Sequence, residues 1–377
     1  MNAQKDADLL YSEVEQDLRA SVRDLLADRA DAAKVLARVE SDEPYDLKLW
    51  RTLAADLGAA GLHVPEELGG QGASTRETAV VLEELGRSLA PVPFLGSAVL
   101  ATSALLGADT ARPEVAEPLA KLASGALLGA LAVPLSTLPS ASFPGSVRAE
   151  ADGTLTGRAG TVADASVAEL LLVPAVGPDG PGLYAVDAGA NGVTVTGVTS
   201  LDLTRPVADV TLASAPARLV AGPEHAAAAV RHALTVGAGL LASEQLGVAQ
   251  WCLDETVRYV KERYQFGRPV GSFQALKHRL AELYLDLVSA RAAARYAADA
   301  LATGSEDTAV AVAIAQASCS GIAVHTAEEA IQLHGGIGMT WEHPAHLYLK
   351  RAKADEIALG TPGRHRAALA RLIDLPA

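Results

Sequence analysis

Residues able to take part in chemistry concentrate in the stretch Ile331–Met339, I-Q-L-H-G-G-I-G-M. An apolar helical pattern ends at Leu333, and the adjacent Gly335 and Gly336 break it. Two residues without a Cβ let the phosphates or backbone of a ligand come close. Gln332 and His334 supply polar edges beside them. The same residues also read as a helix C-cap followed by a turn, the commoner meaning of glycine after a helix. A second group centres on Glu244, in L-L-A-S-E-Q-L-G-V-A-Q (Leu240–Gln250). At helical spacing Leu240, Leu241, Gly247 and Val248 share its face. A carboxylate on an apolar face is either paired or has a raised pKa. Cys252 and Cys319 lack metal-ligand spacing and read as small core residues in a reducing compartment.

The elements that must position these groups change character along the chain. Residues 5–60 read as helices, with Leu18, Val22, Leu25 and Leu26 on one face and Leu47, Leu53 and Leu57 more loosely aligned. Ala59–Gly72 is a loop by its Pro and glycines. Ser74 and Glu77 have the spacing of a capping box for the next helix, which Pro91–Pro93 ends. A further helix is expected near Gly96–Leu106. From about residue 126 β-branched residues and turns take over. Short strands are expected at Leu155–Gly157, Glu169–Pro174, Gly182–Asp187 and Gly192–Thr196, divided by turns such as Asp152-Gly153 and Asp179-Gly180. Helical periodicity returns near Ala221 as long runs at His225–Arg263, Phe273–Ala302, Thr308–Leu333 and Pro344–Ile373. Long helices with short connections suggest a four-helix bundle. The expected organisation is a mainly α protein with a central β domain: an N-terminal helical domain (1–125), a small β-barrel or sandwich (126–220) and a C-terminal bundle (221–377).

The 377-residue chain is half apolar but only 4% aromatic, which implies a large core of Ala, Leu and Val. Its net charge of −14 argues against nucleic-acid binding through a general basic surface. An anionic small molecule held by a local Arg or a helix N-terminus remains compatible with it. The polar start M-N-A-Q-K-D-A-D is no signal peptide. No run approaches about 18 uninterrupted apolar residues, so no membrane span is expected. A cytoplasmic location is the default, with disorder confined to the first few residues and Asp374–Ala377.

Four strings, in order, resemble the acyl-CoA dehydrogenase flavoprotein family over nearly the whole chain. They are L-H-V-P-E-E-L-G-G-Q-G (Leu62–Gly72), L-T-G-R (Leu155–Arg158), R-Y-Q-F-G-R-P-V-G-S-F-Q-A-L-K-H (Arg263–His278) and the Gln332–Gly336 segment. The resemblance implies FAD as cofactor, shared across two subunits. Arg263 and Gln274 map to contacts on the pyrophosphate and adenosine side, and Phe266 to a position beside the adenine. Gln332, His334, Gly335 and Gly336 map to the approach to a neighbouring subunit's FAD. Gly360 and Thr361 fit a further FAD-side contact. A guanidinium matches phosphate oxygens, and glycines admit close backbone approach.

Two family features are missing. The usual catalytic Glu precedes a Gly-Thr pair, and here Leu359 stands before Gly360-Thr361. The Gly-Ser-rich loop that contacts the flavin ring is replaced by Leu131–Ser146, where Ser136, Thr137 and Ser140 are partial substitutes. Some members carry the base on the first long helix of the C-terminal domain, which nominates Glu244 as base. It lies about two turns beyond the position they use, and a structural Glu bonded to a buried Arg is the competing reading.

The resemblance therefore implies α,β-dehydrogenation of an acyl-CoA to a 2-enoyl-CoA, with electrons passing to an electron-transfer flavoprotein. The assembly would be a homotetramer, or a heterotetramer with a second chain of the family. In the latter case this chain would be a base-lacking partner that completes the FAD site. A flavin monooxygenase or oxidase on the same fold is the third reading.

Overall fold

A computed structural model of the chain describes residues 9–375. The expectations for the start of the first helical stretch and for disorder at the two ends lie partly outside these residues. Helices come first: α1 (Glu13–Arg29), α2 (Ala32–Val39), α3 (Leu47–Arg51), α4 (Thr75–Ser88), α5 (Thr102–Leu106) and α6 (Pro113–Ala123). Strands follow: β1 (Gly129–Leu131), β2 (Val147–Ala149), β3 (Thr154–Ala163), β4 (Leu170–Gly177), β5 (Gly180–Asp187), β6 (Val193–Val198), β7 (Val207–Pro216) and β8 (Arg218–Ala221). The chain closes with α7 (Ala226–Glu262), the short hairpin β9 (Tyr264–Gln265) and β10 (Arg268–Pro269), then α8 (Gln274–Thr303), α9 (Thr308–His334), α10 (Ala345–Ile357) and α11 (Pro362–Leu372).

The capping box before α4 forms as the spacing predicts. Ser74 Oγ accepts from the Arg76 N–H at 3.1 Å, and Glu77 Oε2 accepts from the Ser74 N–H at 2.9 Å. The helix expected near Gly96 begins instead as wide π-type turns over Phe94–Ala101 before tightening into α5. Each strand expected from the sequence lies within or overlaps β3, β4, β5 or β6. The sequence reading did not anticipate β1, β2, β7 and β8. The strands form one sheet in the order β6-β7-β3-β2-β4-β5-β8, with β1 paired to β4. The path is open, because β6 and β8 are its two ends. The sheet encloses a small core of its own around Leu155, Val162, Leu171, Val173 and Val210.

The helical core is built round α7. By length and composition, α7 and the stretch Thr308–Met339 would suffice to cross a membrane, yet 72% and 50% of their apolar windows are buried against the rest of the protein. Alanine and glycine on α7 let its neighbours come close. At the crossing with α4 the two backbones nearly touch. A Cβ added at Gly247 would sit 2.0 Å from the Glu83 carbonyl oxygen, and one at Gly86 would sit 2.1 Å from that of Glu244.

The sheet and the bundle are joined by a buried cluster of charges. Arg205, in the loop between β6 and β7, donates to Glu244 on α7 at 2.5 Å and to Asp355 on α10. Arg351 on α10 donates to Glu244, to Asp202 at 2.6 Å and to Thr204 Oγ1 at 2.6 Å. Asp164, beyond β3, accepts from the Gly96 N–H at 2.9 Å and from Tyr45 Oη at 3.1 Å. All are nearly excluded from water. Among the described residues, four carboxylates face two guanidiniums, so they cannot all be comfortable as anions. For Glu244 and Asp202, burial raises the pKa, but the two arginines outweigh it and hold both below the usual range. Burial pushes Asp164 up to about 6 and Asp355 to about 7, against the pull of Arg205. Asp355 Oδ2 has no hydrogen-bond partner.

Two outcomes follow from this packing. Replacing Gly247 with Ala should lower unfolding stability by about 1–3 kcal/mol, the usual cost of forcing extra volume into a packed contact; an unchanged urea midpoint would show that α4 and α7 separate freely. Asp355 has a folded pKa above its unfolded value, so its contribution to stability is present below about pH 4 and is lost as pH rises through about 7. The stability of the protein relative to its Asp355→Asn variant should therefore decline from pH 5 to pH 8, as read from paired urea titrations. A flat difference would mean that Asp355 stays ionised in the fold.

Candidate cofactor half-site and the closed catalytic position

The residues singled out by the sequence fall into two groups at opposite ends of α7. The first group surrounds its C-terminus. Arg263 ends the helix, its N–H bonded to Tyr259 O and its C=O accepting from Val270 N–H at 2.7 Å. This fold-back creates the β9–β10 hairpin. Phe266 and Gly267 form its tip with φ of +53° and +74°. Phe266 is 90% exposed and meets Phe273 edge-on with ring centroids 6.2 Å apart. Phe273 in turn lies under the Arg268 guanidinium, 3.9 Å from ring centre to Cζ. Gln274, the first residue of α8, is exposed. The Arg263 side chain is exposed, and its guanidinium has no partner among the described residues.

The C-terminus of α9 packs beside this hairpin, because Tyr259, one turn before Arg263, lies against the His334 ring at a centroid distance of 4.4 Å. Gln332, Gly335 and Gly336 are exposed there. Gly335 has a φ of +63°, which explains its glycine, and it is the residue that ends α9. Gly336 needs neither positive φ nor space within this chain, since an added Cβ would meet nothing within 4 Å. The cap reading thus holds for Gly335, and Gly336 lies exposed beyond it.

His334 departs from its expected role. Its side chain is 2% exposed and points beneath the turn rather than out of it. Its Nδ1–H donates to Ala330 O at 2.6 Å. The imidazole therefore lies under the turn, apart from the exposed array of Arg263, Phe266, Gln274, Gln332 and the two glycines.

The second group lies about 33 Å away, from the 22 residues of α7 that separate Gly237 from Tyr259 at helical rise. Leu359 is fully buried at a φ of +55°. Its N–H donates to Leu135 O at 2.7 Å, and its C=O accepts from His365 Nε2–H at 2.9 Å. Gly360 has a φ of +109°, and an added Cβ would lie 2.3 Å from Leu138 Cδ1. A Cβ at Gly237 would lie 2.4 Å from Leu100 Cδ2 and 3.2 Å from Leu359 Cδ1. Leu100 and Leu359 thus pack against Gly237, and Leu138 against Gly360. Thr361 is used as the N-cap of α11, accepting from the Arg364 N–H. In the preceding segment the Thr137 hydroxyl is already bonded to Pro134 O at 2.6 Å. A cavity of about 460 Å³ remains outside the leucines, bounded by Leu138–Ser140, Arg231, Thr235 and His365.

Glu244 is corrected most sharply. A base that removes a carbon-bound proton works best with a pKa near the working pH. Two arginines hold this carboxylate below the usual range, and both its oxygens are taken up by them. Glu244 is a structural ion-pair partner. The sequence reading missed Arg205, Arg351, Asp202 and Asp355, which complete its surroundings. Their one local signal was the Arg351–Asp355 spacing of a single helical turn.

Two family models match the chain: "Acyl-CoA dehydrogenase, N-terminal domain" over residues 12–125 and "Acyl-CoA dehydrogenase, C-terminal domain" over residues 227–373. Among curated proteins, the acyl-CoA dehydrogenase IpdE2 of Mycolicibacterium smegmatis is 38% identical over 351 residues, which cover 93% of this chain and 96% of the relative. Among solved structures, the ChsE4–ChsE5 complex from Mycobacterium tuberculosis contains a chain with a TM-score of 0.85 and 31% identity, covering 98% of this chain and all of that one. The Tcur3481–Tcur3483 steroid ACAD, as its G363A variant, gives a TM-score of 0.84 at 32% identity, covering 96% and 98%. The chain belongs to the acyl-CoA dehydrogenase family.

Proposed function

We propose that this chain is the base-lacking subunit of a heteromeric acyl-CoA dehydrogenase and completes an FAD site whose catalytic base stands on a second, unlike chain of the family. The observation that carries this reading is the closed catalytic position. Leu359 occupies the place of the family's Glu, leucines fill the space before it, and the carboxylate nominated in its stead is locked by Arg205 and Arg351. The exposed half-site at the end of α7 supports the other part of the reading. Its residues fit a dinucleotide: an unpartnered Arg263 for phosphate oxygens, the open backbone at Gly336 for close approach, Phe266 for a flat ring, and the Gln274 and Gln332 amides for hydrogen bonds. Bound FAD supplies the hydride acceptor for α,β-dehydrogenation.

This chain's part is to bind and orient. Arg263 would hold the phosphates of a bound FAD, and Phe266 at the hairpin tip would pack on its adenine. The two solved heteromers that this chain resembles, ChsE4–ChsE5 and the Tcur3481–Tcur3483 steroid ACAD, support an unlike partner and a bulky steroid-derived acyl-CoA as the substrate class. An electron-transfer flavoprotein is the electron acceptor in this reading. No observation on the chain favours the oxidase or monooxygenase alternative.

The test is to purify the chain alone and together with a second family member. Alone it should lack stoichiometric flavin absorbance, whereas the pair should be yellow and bleach with acyl-CoA. In the pair, Arg263→Ala should weaken FAD retention roughly tenfold or more, the usual scale for a lost charged hydrogen bond. A homo-oligomer of this chain that carries FAD and bleaches with acyl-CoA would overturn the proposal.

A further inference from the structure

Beneath the cofactor-facing turn lies a cluster that the flavin chemistry does not use. Glu255 on α7, His334 at the end of α9 and His343 in the loop before α10 each offer one ligand-type atom, all within 4.8 Å of one another. These residues come from three separate segments, so helical periodicity alone does not bring them together.

Three features set the cluster apart from an ordinary polar contact. His334 is nine-tenths or more buried, and its Nδ1–H is spent on Ala330 O at 2.6 Å. That bond fixes the tautomer and leaves the lone pair of Nε2 free. Nε2 is buried and has no hydrogen-bond partner among the described residues. An imidazole with one nitrogen tied to a backbone carbonyl and the other open is the arrangement of a metal-ligating histidine.

The second feature is a gap. His343 Nε2 and Glu255 Oε1 stand 3.6 Å apart, too far for a hydrogen bond. Ligand atoms about 2.0–2.2 Å from one Zn²⁺ at tetrahedral angles lie roughly 3.3–3.6 Å from each other. The Glu255–His343 distance fits that edge, and the two distances to His334 are within 4.8 Å.

The third is support around the cluster. Glu255 is held in place by Arg258, which donates to both its oxygens at 2.5 and 2.9 Å, while Glu262 takes up part of that guanidinium's charge at 2.7 Å. The one bond that ligation through His343 Nε2 gives up is the 3.3 Å contact from the Ala345 N–H to Nδ1.

We propose that Glu255, His334 and His343 form a three-ligand site for a borderline divalent cation, Zn²⁺ first among them, with a water in the fourth position. Two imidazoles and a carboxylate suit Zn²⁺ or Co²⁺ rather than Mg²⁺ or Ca²⁺, which take oxygen ligands. The side chains of Glu255 and His343 remain 18% and 12% exposed, which gives the ion a path in. The ion fastens α7 to both sides of the Gly335–Met339 turn and so fixes the backbone that the half-site presents.

The test uses the full chain after chelator treatment, with ZnCl₂ and CoCl₂ as probes. The expected result is saturable binding of one Zn²⁺ per chain, visible d–d bands of tetrahedral Co²⁺ that Zn²⁺ displaces, and a thermal midpoint that rises with Zn²⁺. His343→Ala and Glu255→Gln, both partly exposed positions that leave the buried His334 in place, should each weaken binding by roughly 100-fold or more and abolish the Co²⁺ bands. The absence of saturable binding by the chain overturns the proposal, as does binding that both variants retain unchanged.

Discussion

Arg205 and Arg351 carry two full charges into the interior, and the rest of the molecule is arranged so that they can stay there. Neither has an aqueous alternative: their partners come from the loop between β6 and β7, from α7 and from α10. Losing one member of such a group leaves an uncompensated buried charge, which costs about 3–5 kcal/mol. The cluster therefore dictates how the sheet sits on the bundle. It also removes Glu244 from chemistry, since a carboxylate needed by two guanidiniums is not free to exchange protons. The surplus of carboxylates over guanidiniums appears instead at Asp164 and Asp355, the two that hold a proton most readily.

α7 runs from this cluster to the half-site and gives the molecule its division of labour. Toward its N-terminal end the helix is closed in by Leu100 and Leu359. At its C-terminal end the chain turns out into a hairpin whose tip, Phe266, is 90% exposed and touches Phe273 only edge-on. One end is packed shut by its own side chains; the other presents exposed polar and aromatic groups.

Much of this was legible in the residues. Helical periodicity gave the long helices, and Ser74 with Glu77 gave the start of α4, because those signals are local. The strands that escaped notice have a physical reason to do so. In β7 the inward positions Ala208, Val210, Leu212 and Ala215 alternate with Asp209, Thr211, Ala213 and Ser214, a weak contrast interrupted at Ser214 by a positive φ. β1, β2 and β8 are too short to carry a period. The candidate half-site could be nominated because the resemblance lies in contiguous strings. The surroundings of Glu244 could not, since Arg205 and Arg351 approach it across 39 and 107 residues. His334 shows the limit in miniature: its position in a string placed it at the cofactor, and its rotamer turned it the other way.

The close crossing of α4 and α7 at Gly86 and Gly247 pins the long helix near its middle. A rod held there and at the charge cluster cannot slide or turn. Inserting or deleting one residue beyond Gly247 would rotate the hairpin by about 100° around the helix axis and shift it by about 1.5 Å. Arg263 and Phe266 would then face a different neighbour altogether. The register of α7 is consequently less free to vary than its composition: many small apolar residues fit along its length, but the number of residues between the crossing and the hairpin is set by where the half-site must point.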